Sequence, residues 1–151
     1  SRSNPAPVPV NTSKKVYLYE KSIGFYSNIS YTAPDYKFDL TKANKVRMKV
    51  FVPSYNDYTT VADVAGDWIA VNQLQKQVAV KLQNSAAGGS AWETQTEIVK
   101  TNLTTDQWIE LEFDFSEVKD RKDYDKIVIQ FGAEGHAAPG IFFFDDFYFG
   151  E

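Results

Sequence analysis

The feature that most constrains this chain is a two-residue alternation of apolar and charged side chains. The clearest case is WIELEFDF at residues 108–115, in which Ile109, Leu111, Phe113 and Phe115 alternate with Trp or acidic residues. Because successive side chains of a β-strand point to opposite faces, this spacing predicts a strand with one buried and one outward face. If other segments show the same alternation, most of the chain is expected to form β-strands.

Several other short segments have a strand-like pattern, and none sustains a helical period for more than about two turns. KVRMKVFV predicts an inward face of alternate apolar residues, and VAVKLQ predicts Lys81 and Gln83 on an outward face. About eight or nine strands without an obligatory helix indicate an all-β antiparallel sandwich. The predicted strands lie at residues 16–19, 36–40, 45–52, 78–83, 93–101, 108–115, 126–131 and 141–149.

Composition limits the chemistry and the partners. The net charge of -4 argues against a basic face for nucleic acid or an anionic membrane, so we expect neither partner. No cysteine is present, which excludes disulfides and thiolate chemistry, and a single histidine excludes a histidine-based triad. The sequence contains no run of about 18 apolar residues, so we expect no insertion into a membrane. A neutral partner is expected.

The N-terminal segment differs from the rest of the chain. Residues 1–13 hold three of the six prolines among Ser, Asn and Thr, which predicts a linker followed by one domain at residues 14–151. We expect an exported domain, secreted or at the cell surface, that works beside other domains of a larger parent protein. Any export signal would have been removed or would lie upstream.

One long connection contains the first candidate contact residues. Residues 53–77 form a link of about 25 residues, which is well above the usual loop length, and it contains Tyr55, Tyr58 and Trp68. Aromatic residues are unusual in a disordered linker, so this composition favours a functional loop.

Antiparallel strands place successive loops at alternate ends of a sandwich. The loops at residues 53–77, 102–107 and 132–140 should therefore share one end, where the long loop could meet His136. Trp92, beside Gly88 and Gly89, should lie at the opposite rim unless it begins a strand that lines a sheet face.

Three motifs in the C-terminal third carry a family resemblance. They are Trp-x-x-Leu-x-Phe-x-Phe-Ser at residues 108–116, Tyr-Asp-Lys-Ile-Val-Ile-x-Phe at 124–131 and Phe-Phe-Phe-Asp-Asp-Phe at 142–147. In this order and spacing the chain resembles β-sandwich carbohydrate-binding modules of the family 4, 9 and 22 type. The likeness is greatest to modules of Bacteroidetes surface glycan-binding proteins and polysaccharide-degrading enzymes, and it covers most of residues 45–149.

The resemblance implies a jelly roll of the galactose-binding-domain-like type that binds a polysaccharide or oligosaccharide without catalysis. A neutral β-glucan such as laminarin is the expected ligand, although cations on outward strand faces (Arg47, Lys49 and Lys81) leave an anionic glycan open. Sugar rings stack on flat aromatic side chains, and their hydroxyls need polar partners. The predicted carbohydrate contacts are Tyr55, Tyr58, Trp68, Trp92 and His136.

Each of these residues has a plainer interpretation. The aromatic rings could close the ends of the core, and His136 could be an ordinary surface residue. Trp108 heads a core strand in the resembling modules, so we interpret it as structural.

The adjacent carboxylates Asp145 and Asp146 interrupt an apolar strand. A β-bulge or a bound cation would relieve this conflict, because a regular buried strand cannot solvate both carboxylates. The resemblance implies a structural Ca²⁺ ion held by Asp145 and Glu20. The alternative is a solvated turn capped by Asp146.

Two other functions remain open. The domain could be an adhesin-like protein-binding sandwich with Trp68 and Trp92 as interface anchors. It could also be a fragment of a glycoside hydrolase, since Glu112, Asp114 and Glu117 have the Glu-x-Asp-x-x-Glu spacing of family 16 enzymes. The solvated face of a sheet gives the same alternation, so we expect no enzyme.

Overall fold

The computed structural model describes residues 1–62, 66–68 and 72–151 and consists of two antiparallel β-sheets, which confirms the all-β sandwich. One sheet has five strands in the order β1-β2-β9-β4-β7, and the other has four in the order β3-β8-β5-β6. The strands are β1 Arg2–Ser3, β2 Lys15–Lys21, β3 Ile29–Thr32, β4 Lys45–Phe51, β5 Val78–Gln83, β6 Thr96–Lys100, β7 Trp108–Asp114, β8 Lys126–Phe131 and β9 Gly140–Gly150. Two 3₁₀ segments lie at Ser85–Thr94 and Ser116–Val118, and no helix among the described residues is long and apolar enough to span a bilayer.

The inner faces of both sheets form one apolar core, as the alternation predicts. Alternate residues of β4 and β5 are fully buried, among them Val46, Met48, Val78 and Val80. Phe113 of β7 is also fully buried, whereas the acidic residues of that strand are exposed. Lys81 and Gln83 face outward as predicted, because both line a surface groove, although they are only 5% and 6% exposed.

The strand predicted at residues 36–40 is wrong. The strand in this region is β3, which pairs with β8 from Ile29↔Ile129 to Thr32↔Lys126. Residues 36–40 form an irregular segment whose Phe38 N–H donates to the Tyr124 carbonyl at 2.8 Å. Phe38 and Leu40 fill the core from that segment, so their burial does not require a strand.

A β-bulge accommodates the two adjacent carboxylates of β9. The pairing register with β4 shifts between Arg47↔Tyr148 and Lys49↔Asp145, and Asp146 has φ 49°. The extra residue reverses the alternation, so Phe144 before the bulge and Phe149 after it both pack against the core. The bulge interpretation of this motif is confirmed.

The N-terminal segment lies against the outer face of the five-stranded sheet. β1 pairs with β2, and Asn4 accepts a hydrogen bond from Trp108 Nε1 at 2.9 Å. Trp108 is buried in a small second cluster with Phe51 and Phe143, which confirms its structural role. The use of residues 1–13 as a linker to a neighbouring domain stays a prediction.

The loops fall at the two ends of the sandwich as expected. Phe51 pairs with Trp108, while Val78 pairs with Lys100 and Phe131. These registers bring the described parts of the loops after β4, β6 and β8 to one end. The 3₁₀ segment Ser85–Thr94 lies at the other.

Candidate functional site

A groove of about 640 Å³ lies on the outer face of the four-stranded sheet. Its floor consists of outward residues of β5 and β8, which the register places side by side as Lys81↔Val128 and Gln83↔Lys126. From Lys126 to Gln130 the floor extends four residues along β8, or about 13 Å at the usual strand rise. Trp92 and the Trp68–Tyr26 pair line its two ends.

The floor of the groove is polar and internally hydrogen-bonded. Lys81, only 5% exposed, is held between two carboxylates: its Nζ lies 3.0 Å from Glu134 Oε2 and 3.2 Å from Glu97 Oε2. Gln83 Nε2 donates to Gln95 Oε1 at 2.9 Å. A buried charge is costly unless it is paired, and here both carboxylates supply the pairing. The floor therefore presents fixed polar groups.

The first wall is the 3₁₀ segment Ser85–Thr94. Thr94 fastens its base, because the Thr94 hydroxyl donates to the Ala91 carbonyl at 2.6 Å and accepts from the Asn84 N–H at 2.8 Å. Trp92 projects from this segment with 61% of its surface exposed. A Cβ atom added at Gly89, which also lines the groove, would meet no protein atom within 4 Å. This wall therefore leaves open space beside an exposed indole.

The second wall is an aromatic pair formed by Tyr26 and Trp68. Their rings are nearly parallel, at 12°, with centroids 6.3 Å apart, and Phe25 packs edge-on against Trp68 at 6.2 Å. Trp68 is 62% exposed and Tyr26 is 53% exposed. Two large aromatic rings, one from the β2–β3 loop and one from the β4–β5 loop, are thus kept in solvent, where stacking on a ligand can cover them.

Of the predicted contacts, the structure brings Trp68 and Trp92 to the same groove. Tyr55 is exposed but does not line this groove. Tyr58 is half-buried against the core, and its hydroxyl donates to the Pro53 carbonyl at 2.7 Å. That hydrogen bond, together with one accepted from Asn56 at 3.0 Å, gives Tyr58 a role in holding the loop.

The expectation that His136 lies at a binding rim is wrong, because the side chain is fully buried. Its Nδ1 accepts from the Ala138 N–H at 3.2 Å, which places the ring proton on Nε2, 3.1 Å from the Gly132 carbonyl. Burial lowers the pKa of His136 below its ordinary value, and the neighbouring Lys21 charge adds to this effect. A neutral imidazole therefore closes the loop between β8 and β9 internally.

The two carboxylates implied as calcium ligands do not fit a shared ion. Glu20 pairs with Ile141, four residues before Asp145 on β9, which corresponds to about 13 Å along the strand. Ca²⁺ lies only about 2.3–2.6 Å from each ligand oxygen, so one ion cannot contact both carboxylates. Asp145 instead accepts a hydrogen bond from the buried Asn11 side chain at 3.1 Å. Among the described residues no cluster of three or more His, Cys, Asp or Glu side chains could hold a metal.

A larger cavity of about 1040 Å³ opens where β3 and β9 diverge. Core side chains such as Ile127, Ile129 and Phe149 form much of its lining. Charged side chains and the exposed Tyr17, Tyr31 and Tyr36 also line it, but it contains neither tryptophan. We select the smaller groove as the candidate site because it brings together Trp68 and Trp92, two of the contacts expected from the sequence.

The acidic residues of the hydrolase-like string line neither of these two cavities. Glu112 is exposed on the outer face of the five-stranded sheet, where Arg47 Nε lies 2.9 Å from its Oε2. Glu117 is exposed in the 3₁₀ segment Ser116–Val118.

Tyr26 and Gln130 were missed by sequence reasoning. Tyr26 belongs to GFYSN, immediately before a strand that was not predicted, and its aromatic neighbour Phe25 was the available signal. Gln130 interrupts the apolar strand KIVIQF, which indicated an outward polar position.

Comparison with known proteins does not assign the chain. No protein-family model matches it, and no curated protein sequence is significantly similar.

Proposed function

We propose that this chain is a non-catalytic carbohydrate-binding domain with a jelly-roll fold, and that it takes a glycan chain in the groove of the four-stranded sheet. The observation that carries the proposal is the convergence of Trp68 and Trp92 on one groove. These residues come from loops at opposite ends of the sandwich, and both remain about 60% exposed. Exposed indoles around a polar floor supply the two contacts that a sugar needs.

The groove offers both kinds of contact that a sugar ring uses, which are stacking and hydrogen bonding. The faces of a pyranose ring carry C–H groups that stack on indole and phenol rings, which Trp92, Trp68 and Tyr26 present. Its hydroxyls both donate and accept, so they can use the amide of Gln130 and the carboxylate of Glu134. Because Glu134 is already held by Lys81, its orientation is set before a ligand arrives.

A neutral glycan fits better than an anionic one. The three cations that the sequence offered to an anionic ligand are each paired with a carboxylate. Lys81 is bound by Glu97 and Glu134, and the remaining pairs are Lys49 with Asp146 at 2.7 Å and Arg47 with Glu112 at 2.9 Å. A uronate or sulfate beside Glu134 would be repelled, and among the described residues Lys126 is the one cation in the groove lining outside the ion pairs described above. A β-glucan such as laminarin is the ligand that we propose.

We also propose that the domain acts outside the cell, in a larger protein that attaches it to further glycan-binding or catalytic domains. A shallow groove leaves many sugar hydroxyls in water, so each site would bind with millimolar to micromolar dissociation constants. Several sites linked in one protein would raise the effective affinity for a polymer.

Affinity electrophoresis tests this function directly. Gels containing laminarin, lichenan or xylan should retard the domain, whereas alginate and pectin should not. Trp68→Ala should reduce the retardation, and Tyr55→Ala is the matched control because Tyr55 is equally exposed outside the groove. Both substitutions remove an exposed aromatic ring, so the main difference between them is whether that ring lies in the groove.

Three results would contradict the proposal. Absence of retardation in every gel would favour the protein-binding alternative. Retardation by alginate or pectin alone would overturn the neutral ligand class. Release of reducing sugar that Glu112→Gln abolishes would replace the binding domain with a hydrolase.

A further inference from the structure

We propose that Gly66 is a positioning residue that holds the Trp68 ring in its binding orientation without touching the ligand. The proposal rests on the proposed function of the groove and concerns how its second wall is assembled. Gly66 is buried, whereas the ring that it supports is 62% exposed. A residue beneath the surface thus sets the geometry of a residue above it.

The first argument is the close approach of the Trp68 ring to the Gly66 backbone. A methyl group built on the Gly66 Cα would overlap Cζ2, Cε2 and Cη2 of Trp68. The indole therefore folds back over residue 66 and occupies the space that any side chain there would need. Glycine is the one residue that permits this ring position.

The second argument is the hydrogen bonding that fixes Gly66. Its N–H donates to the Gly135 carbonyl at 2.7 Å, and the Gly135 N–H donates to the Phe25 carbonyl at 2.7 Å. Gly135 thereby joins the segment that carries Trp68 to the segment that carries Tyr26. Gly135 has φ 86°, a conformation that favours glycine.

The loop that contains Gly135 is itself held from inside the protein. His136 hydrogen-bonds the Gly132 carbonyl and the Ala138 N–H, and the buried Lys21 Nζ donates to the Ala138 carbonyl at 2.6 Å. The aromatic pair thus sits on a backbone that is fixed on the core side and has its rings in solvent. Ordering these rings in advance lowers the entropy lost when a ligand stacks on them.

Gly66→Ala is the test, with binding to laminarin measured by isothermal titration calorimetry. The added methyl group displaces an exposed ring, so affinity should fall about three- to tenfold, the range expected from losing one or two pre-ordered side chains. The melting midpoint should stay within about 2 °C, since exposed groups contribute little to stability. The near-UV circular dichroism of the Tyr26–Trp68 pair should weaken.

Gly150→Ala is the matched control. Its methyl group would overlap the Tyr148 ring, which is 46% exposed on the other sheet, so it displaces an aromatic ring outside the groove. This variant should bind laminarin like the wild type. The double variant Gly66→Ala with Trp68→Ala should bind no worse than Trp68→Ala alone, because glycine acts through the ring.

The outcomes separate this proposal from the function on which it rests. Wild-type affinity in Gly66→Ala, together with weaker binding in Trp68→Ala, would overturn the positioning role and leave the binding function intact. A further loss of affinity in the double variant would also overturn it, because the glycine would then act independently of the ring. Unchanged binding in Trp68→Ala would reject the groove itself.

Discussion

Removal of the indole at Trp92 should weaken glycan binding about tenfold and leave the fold unaffected. Trp92 stands alone on the first wall, whereas Trp68 has Tyr26 beside it. Its loss is therefore not compensated by a neighbouring ring. The Trp92→Ala variant consequently measures one stacking contact.

The magnitude follows from the exposed surface. A tryptophan side chain presents about 200 Å², so the 61% that is exposed corresponds to about 120 Å² in solvent. A sugar ring stacked on one face would cover about half of this area, or about 60 Å², which is worth about 1.5 kcal/mol at 25 cal/mol per Å². That free energy corresponds to roughly a tenfold change in the dissociation constant.

Calorimetric titration with laminarin oligosaccharides measures this change, and a thermal melt of each variant checks the fold. Tyr55→Ala is the control, because Tyr55 is 66% exposed and lies outside the groove. Gly89→Ala offers an independent test, since Gly89 lines the groove and the added Cβ would meet no protein atom within 4 Å. Equal affinities in wild type and Trp92→Ala, or equal losses in Trp92→Ala and Tyr55→Ala, would refute the stacking argument.

Two further predictions concern stability. Burial lowers the folded-state pKa of His136, so the neutral side chain stabilises the fold fully above the unfolded-state pKa of about 6.5. As the pH decreases from there toward the folded-state pKa, the free energy of unfolding should fall. Urea unfolding between pH 7.5 and 5 should show this slope in the wild type and lose it in His136→Gln, and identical slopes would contradict the assignment. Asn11→Ala should cost about 2 kcal/mol by leaving the buried Asp145 carboxylate without its donor, which is a drop of roughly 4–8 °C in the melting midpoint. Calorimetry that finds no shift would show that Asn11 does not stabilise this carboxylate.

The sandwich was predictable because its signal is local. Each core strand alternates within six to eight residues, and the faces assigned to Val46, Val78 and Phe113 follow from that alternation alone. The missed strand β3 has only four residues, and its Tyr31 is exposed, so it has no complete apolar face. Residues 36–40 carried a clearer apolar pattern but bury Phe38 from an irregular segment.

The candidate site was only partly predictable because the exposure of a loop side chain depends on how the loop folds and not on the residue type. Tyr58 and His136 occur in loops, as Trp68 and Trp92 do, and the residue types alone do not separate them. Tyr58 is half-buried because its hydroxyl reaches the Pro53 carbonyl, and His136 is buried because its ring closes its own loop. Such partners become known only when the chain is folded.

The position of Trp92 shows why assigning loops to sandwich ends was insufficient. The end assignment placed Trp92 and Trp68 at opposite ends, and the structure agrees. Both loops nevertheless border the same outer sheet face, whose length between the ends is only about 13 Å. On a sheet this short, loops from opposite ends can line the same groove, so residues assigned to different ends can belong to one site.

The same geometry explains how a charged floor can serve a neutral ligand. Lys81 alone would attract anions, but Glu97 on β6 and Glu134 on the β8–β9 loop reach it from two sides. The two carboxylates neutralise the Lys81 charge within the protein. Their outward oxygens can then accept hydrogen bonds from the hydroxyl groups of a ligand. Under the proposed function, specificity would come from a fixed pattern of acceptors between aromatic rings, and it would depend on the loop that contains Glu134 and supports the aromatic pair. A change in this loop should therefore affect both the hydrogen-bonding residue Glu134 and the stacking pair Tyr26 and Trp68.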